Sequence, residues 1–304
     1  MDEKFVREML SNAGVRFKTG YPLSKLTTFG VGGPAAFFVQ AGSLDELKMS
    51  IAACRKGSCP WFIIGRGSNL LAEDSGFSGA VLRLEEEFAS VRYTAEGASA
   101  GAGLSLAKLC EGSAQHGLAG LEFAHGIPGT VGGALWMNAG AYGTEIFDLV
   151  TKVTVLDSET SEISVLPPPF EHGYRKGPFR DRNIVILSAE FLLRPEERGE
   201  IEARCLELTS RRKSSQPVGQ RSAGSVFKNP PGRKAWELIS EAGCRAMTVG
   251  GAKVSEKHAN YIVNAGKATA ADIRELIGNV RSRVMERFGV ELETEIEFLP
   301  GAGA

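Results

Sequence analysis

The chain has 304 residues, and its 35 Lys+Arg against 36 Asp+Glu leave a net charge of -1. That balance gives no global field for a polyanion, so nucleic acid is not an expected partner. No stretch reaches the ~18 consecutive apolar residues of a membrane span, and the opening MDEKFVREML is acidic and amphipathic, unlike a signal peptide; the expectation is a globular, cytoplasmic, monomeric protein with no membrane partner. Five cysteines at irregular spacings without a C-x-x-C, and only four histidines, suggest neither a disulfide framework nor a metal site, so the cysteines read as small apolar residues and no metal is expected.

In chain order, the first 30 residues read as a short helix and an irregular arm ending in Leu26-Thr27-Thr28-Phe29-Gly30-Val31-Gly32-Gly33-Pro34. An apolar run, Ala35 to Val39, precedes Ser43-Leu44-Asp45-Glu46, a capping box that opens a helix with Leu44, Leu47 and Ile51 on one face and Gly57 beyond its end. Trp61 to Ile64 is a second strand running into Gly65-Arg66-Gly67-Ser68-Asn69-Leu70-Leu71. Val81 to Leu84 and Ser90 to Thr94 alternate as half-buried strands, and Leu104 to Gly117 reads as a helix with a glycine stop. Then comes the densest glycine tract, Gly126-Ile127-Pro128-Gly129-Thr130-Val131-Gly132-Gly133-Ala134, continuing to Met137-Asn138-Ala139-Gly140-Ala141-Tyr142-Gly143. Strands follow at Val150 to Leu156, Ile163 to Leu166 and Ile184 to Leu193, the last hairpin carrying Phe170-Glu171-His172-Gly173-Tyr174-Arg175.

Pro195 marks a change of character, and a domain boundary is placed near residue 196. Beyond it the pattern gives a charged helix from Glu196 to about Arg212, a Ser/Gly/Pro-rich loop from Ser214 to Gly232, and a helix from about Lys234 to Ala242. A long helix carries Ile273, Leu276, Ile277, Val280, Val284 and Phe288 at helical spacing. A closing strand, Val290 to Leu299, sets Val290, Leu292, Ile296 and Phe298 against Glu291, Glu293, Glu295 and Glu297.

Both glycine tracts expose successive backbone N–H groups, because residues without Cβ adopt positive φ and let the chain approach a ligand. Tight turns alone would explain either tract. Neither is a Rossmann fingerprint, since Gly65 and Gly67 lack a third glycine, and neither is a P-loop, since no Gly-Lys-Ser/Thr follows. Both are nevertheless longer than a turn needs, and the second interleaves Thr130 and Asn138, which suit hydrogen bonds to a pyrophosphate or a heterocycle edge. A dinucleotide held by two glycine loops is the implied geometry.

Over nearly its whole length the sequence resembles the UDP-N-acetylenolpyruvoylglucosamine reductases. The resemblance rests on Leu26-Thr-Thr-Phe29 with Gly32-Gly33-Pro34, Gly65 to Leu71, Gly126 to Gly143, Gly173-Tyr-Arg175, Ser222-Ala-Gly-Ser-Val-Phe-Lys-Asn-Pro230 and Glu293-Thr-Glu295-Ile296, in that order. It implies an α+β protein: an N-terminal helix and arm over residues 1–19, an FAD-binding fold of the vanillyl-alcohol-oxidase type in two subdomains over 20–196, and a smaller α+β substrate-binding domain over 197–304. The tight spacing of the middle segments is similar to the form lacking an extra tyrosine-bearing loop. Non-covalent FAD and NADPH are the implied cofactors and a UDP-sugar enolpyruvyl ether the implied substrate. Contacts to FAD are expected from Gly65, Arg66, Gly67, Ser68, Asn69 and Leu70, and from Gly126, Ile127, Pro128, Gly129, Thr130, Gly132, Gly133, Asn138 and Gly140.

Reducing an enolpyruvyl ether adds hydride at C3 and a proton at C2 through an enolate-like carbanion, so the site needs a hydride source, donors for the enolate and an acid. By the resemblance Ser225 is the proton donor, and its hydroxyl must be polarised to serve; read alone, it would satisfy loop backbone. Arg175 matches the active-site arginine, whose fork suits an enolate and carboxylate. Glu295 matches the glutamate ending the catalytic set, although the last four glutamates read alone form a water-facing row; a raised pKa is expected for it, and Glu295→Gln should remove a limb of the pH–rate profile. Lys228, Asn229, Tyr174 and His258 are expected to touch substrate. Arg211, Arg212 and Lys213 form a basic cluster explained equally by the uridine diphosphate or by a helix dipole. Two departures remove positive charge near an anionic substrate: Glu297 and Ser215 stand where the family commonly has basic residues. Two rivals stay open: an oxidase of the same fold tethering flavin through His125, and a non-catalytic nucleotide-sugar or flavin sensor.

Overall fold

The computed structural model describes residues 1–180 and 182–299. It resolves into two compact units, one formed by Met1–Thr19, Phe37–Arg66 and Gly79–Arg211, the other by Gly20–Ala36, Gly67–Ser78 and Arg212–Ala304. The chain-order boundary near 196 marks where sequence character changes. The compact units are instead interleaved, because short early segments pack into the unit completed by the last third of the chain.

In the first unit, α1 (Glu3–Asn12) is capped by Asp2 and buries Val6 and Leu10. Helix α2 (Leu44–Lys56) buries Leu47 and Ile51. Its cap departs from the expected box in one respect: the Ser43 hydroxyl accepts from Glu46 N, but the Glu46 carboxylate takes the amide of Gly42 at 2.6 Å, not that of Ser43. Strand Trp61–Ile63 pairs in parallel with Phe77–Leu84, in a sheet ordered Arg16–Pro22, Pro34–Ala41, Phe77–Leu84, Trp61–Ile63. The expected irregular arm is therefore strand at Arg16–Pro22; none of its residues is fully buried, so it carries no alternation to read. An antiparallel five-stranded sheet runs in the order Ile163–Leu166, Val150–Asp157, Ile184–Leu192, Gly97–Gly101, Val91–Thr94. Helices α3 (Leu106–Gln115), α4 (Val131–Met137) and most of α5 (Arg198–Ser215) complete this unit. All five cysteines are buried thiols.

The second unit packs α6 (Ala235–Glu241) and α7 (Ala270–Phe288) over a core that includes Phe29, Val31, Leu71, Phe227, Leu238, Ile262, Ile273, Leu276 and Leu292. Helix α7 is fixed at its start twice over. Thr269 and Asp272 form a reciprocal capping box, and the Asp74 carboxylate accepts from Ala270 N and Ala271 N at 2.8 and 3.0 Å. The closing strand is shorter than expected: only Glu297–Leu299 forms a ladder, in parallel with Leu70–Ala72, and ahead of it there is a single bridge, Phe227 to Thr294. Alternation there reports the burial of Leu292 and Ile296 rather than continuous strand pairing. Among the described residues no helix is long and apolar enough to cross a membrane.

Candidate functional site

The two glycine tracts approach each other in the first unit. A Cβ on Gly65 would lie 2.6 Å from Thr130 Oγ1, so the strand end fits there only as glycine. Thr130 is the N-cap of α4, its hydroxyl accepting from Gly133 N at 3.3 Å. The second tract then divides. Val131 N and Gly132 N bond to the carbonyls of Leu104 and Ala102 at 2.9 and 2.8 Å, which sews this half into the scaffold. Gly126 and Pro128 are exposed, Ile127 and Gly129 half-buried, and Gly126 has φ +80. Gly126 and Gly129 let a ligand approach the chain closely just ahead of a helix start, but Ile127 N is spent on Ala124 O at 2.9 Å and Pro128 has no N–H, so this stretch does not offer the row of amide donors that its glycines suggest. Arg66 is exposed.

Past Gly65-Arg66 the first tract enters the second unit. Gly67, at φ +61, accepts Thr28 N through its carbonyl, and Ser68 is half-buried. Asn69 serves the C-terminal segment: its Nδ2 donates to Glu295 O at 3.0 Å and its carbonyl accepts Glu297 N at 2.9 Å, while Leu70 lies opposite Glu297 in the ladder.

Asn138 ends α4 in the left-handed region, φ 45 and ψ 59, and is completely buried. Its Nδ2 lies 2.6 Å from Glu145 Oε2, 3.0 Å from Gly173 O and 3.2 Å from His172 Nδ1, so its donors serve the protein itself. Gly140 offers its carbonyl to Arg175 Nη2 at 3.0 Å. Arg175 sits in a tight turn closed by Gly173 N to Lys176 O and Lys176 N to Gly173 O, both 2.9 Å. Its φ of +57 is rare for a residue with a side chain, and its guanidinium stacks 4.8 Å from the Tyr174 ring centroid. Tyr174 is 45% exposed. His125 Nδ1 lies 2.5 Å from Thr209 Oγ1.

In the second unit the Ser225 and Glu295 segments run side by side. Glu295 N donates to Val226 O and Lys228 N to Glu293 O, both at 2.8 Å. Ser225 and Glu295 are half-buried. Asn260, which no local pattern singles out, holds the strip from behind: its Oδ1 accepts Phe227 N at 2.9 Å and its Nδ2 donates to Phe227 O at 2.8 Å. An asparagine in a polar loop reads as a turn former, and its partner is 33 residues away. The Lys228 ammonium pairs with the Glu293 carboxylate, and Asn229 Oδ1 accepts Ala235 N at 3.0 Å, bracing the start of α6. The His258 ring meets Tyr261 edge-on at 4.9 Å, and its Nδ1 is buried without a hydrogen-bond partner. Burial first, then the Arg245 charge, pushes its pKa down. Of the basic cluster, Arg211 pairs with Glu207 at 2.8 Å, one helical turn back, and the Lys213 carbonyl accepts from the Lys257 ammonium.

Residues 35–166 match a family model described as FAD binding domain, and residues 216–299 match the C-terminal domain of UDP-N-acetylenolpyruvoylglucosamine reductase. The chain is 40% identical over 292 residues to UDP-N-acetylenolpyruvoylglucosamine reductase 2 of Symbiobacterium thermophilum, covering 96% of this chain and 94% of the relative. It is 42% identical over 282 residues to the reductase of Lachnoclostridium phytofermentans, covering 91% of each. The crystal structure of the Thermus caldophilus reductase superposes with a TM-score of 0.80 at 38% identity, covering 94% of this chain and 99% of that one.

Proposed function

The chain belongs to the UDP-N-acetylenolpyruvoylglucosamine reductase family, whose members are flavin-dependent oxidoreductases, and from that premise we propose that it reduces the enolpyruvyl ether of UDP-N-acetylglucosamine to the lactyl ether, in the cytoplasm and as a monomer, for peptidoglycan precursor synthesis. The observation that carries this reading is the strip in the second unit where the Ser225 segment hydrogen-bonds along the Glu295 segment. It supports a serine acid and a carboxyl group working as a pair, an arrangement that neither a sensor nor an alcohol oxidase requires.

FAD held in this fold, once reduced by NADPH, would supply the hydride for C3. In this proposal the backbone of residues 126–129 and the Gly65–Leu70 loop hold the dinucleotide, with Thr130, Gly132, Gly133 and Gly140 shaping its cradle, and the stretch after residue 197 takes the UDP-sugar. Arg175 meets the substrate carboxylate and the charge that spreads into it, a task suited to a two-pronged cation. The Ser225 hydroxyl delivers the proton to C2, its acidity raised by hydrogen bonds that its oxygen accepts. Glu295 joins Arg175 in stabilising the developing enolate, either protonated or by orienting a neighbour. Tyr174, Lys228, Asn229 and His258 hold the UDP-sugar. His125 is engaged with Thr209, which favours flavin bound without a covalent tether.

An anaerobic stopped-flow trace tests the whole reading. NADPH should bleach the flavin and the enolpyruvyl substrate should restore its colour. Colour that returns only on admitting oxygen would overturn the assignment. So would flavin fluorescence that stays with the denatured chain on a gel, as regards the cofactor linkage.

A further inference from the structure

We infer that Asn138 is a positioning residue that fixes the Arg175 guanidinium, through a buried amide anchoring both segments that hold that arginine. The inference rests on the role proposed above for Arg175. Three observations carry it, all within the first unit.

The orientation of the Asn138 amide is set by its surroundings. Its nitrogen faces the Glu145 carboxylate at 2.6 Å, the Gly173 carbonyl at 3.0 Å and His172 Nδ1 at 3.2 Å. Exchanging nitrogen and oxygen would press a carbonyl oxygen against a carboxylate and a second carbonyl, so the nitrogen must face this way. Its oxygen is then left buried without a partner, an arrangement that persists only where the surrounding contacts over-determine it.

Those contacts define the two ends of the arginine's support. Gly173 O is the base of the turn bearing Tyr174 and Arg175. Glu145 lies opposite Gly140 in a short antiparallel pair, and Gly140 O is the acceptor for Arg175 Nη2. One amide therefore ties down both the backbone that carries the guanidinium and the hairpin that receives it. His172 adds a lateral brace, its ring stacked on Phe147 at 5.4 Å with planes 18° apart.

The turn needs such a clamp. Arg175 has φ +57 and Tyr174 is 45% exposed, so neither backbone preference nor packing at the tip holds it. Asn138 itself tolerates the left-handed region, as asparagine does, which lets α4 end with this side chain turned inward.

The test uses the FAD-loaded enzyme and three variants. Asn138→Asp keeps size and backbone tolerance but removes the donor. Flavin reduction by NADPH should stay within about 2-fold of wild type, whereas reoxidation by the enolpyruvyl substrate should slow roughly 10- to 100-fold, the scale expected for a misplaced catalytic group. Amide hydrogen exchange at Gly173 and Lys176 should accelerate. Arg175→Lys should slow the same half-reaction, and the double variant should be no slower than Arg175→Lys alone. Additive losses, or an unaffected reoxidation in Asn138→Asp beside an impaired Arg175→Lys, would overturn the positioning role and leave the arginine's role standing. A normal Arg175→Lys would overturn both. Should Asn138→Asp fail to fold or to hold FAD, Asn138→Gly, which keeps the left-handed backbone and deletes the amide, is measured in the same way with the same outcomes.

Discussion

At the scale of single residues, the half-reactions separate roles that steady-state rates would merge. Ser225 is proposed to act only when C2 takes its proton, so Ser225→Ala should reduce its flavin with NADPH at the wild-type rate and lose ~10² to 10⁴-fold in reoxidation by the enolpyruvyl substrate, the usual contribution of a general acid; an equal loss in both steps, read by flavin absorbance, would remove the serine from the proton path. His258 permits a prediction of a different kind. Burial and the neighbouring Arg245 lower its pKa in the folded protein, so as pH falls the unfolded chain takes up the proton first, near pH 6.5. Stability is accordingly complete above about pH 6.5 and declines as the pH drops toward the lowered folded value. Urea midpoints taken between pH 7.5 and 5 should fall less steeply for His258→Gln than for wild type, and parallel slopes would show that the ring does not titrate in this way.

Among secondary-structure elements, legibility followed how local each cause was. Helix α7 was readable because its stripe of Ile273, Leu276, Ile277, Val280 and Val284 is buried at one spacing along one face. Its ends illustrate the limit: the Thr269–Asp272 box is written in neighbouring residues, but the second cap comes from Asp74, 196 residues away from Ala270. The strand Arg16–Pro22 is not legible because an exposed strand has no face to mark, and the closing segment looks like a longer strand than it is because burial alternates there without a partner ladder. The site divides in the same manner. Glycine loops announce themselves by composition, whereas Ser225 and Arg175 could be assigned only through the resemblance, since a polar residue in a loop carries no period. Asn69, Asn138 and Asn260 act on backbone 226, 35 and 33 residues distant, and nothing local to them shows it. The local cap of α7 is separable from the distant one: Thr269→Ala should lower stability by about 1 kcal/mol, the usual value of an N-cap, measured as a shift of the urea midpoint at unchanged slope, and a change below ~0.3 kcal/mol would mean that Asp74 alone suffices to start the helix.

For the molecule as a whole, the order of the chain and the order of its packing differ, and that difference has an energetic consequence. A boundary near 196 follows the change in sequence character, and a fragment spanning 197–304 would contain α6, α7 and both the Ser225 and Glu295 segments. It would lack Phe29, Val31 and Leu71, which are buried at 0%, 4% and 0% exposure in the same cluster as Phe227, Leu276 and Leu292. At ~1.5–3 kcal/mol for each buried apolar side chain, the missing three are worth roughly 5–9 kcal/mol, comparable to the ~5–15 kcal/mol net stability of an entire domain. The same cut removes Leu70–Ala72, the ladder partner of Glu297–Leu299, and Asp74, which caps α7. The 197–304 fragment should therefore show collapsed amide dispersion and no cooperative thermal transition. A fragment that unfolds cooperatively with native-like dispersion would mean that the late segment carries a sufficient core without the early ones, and that the interleaving of the chain is incidental to its stability.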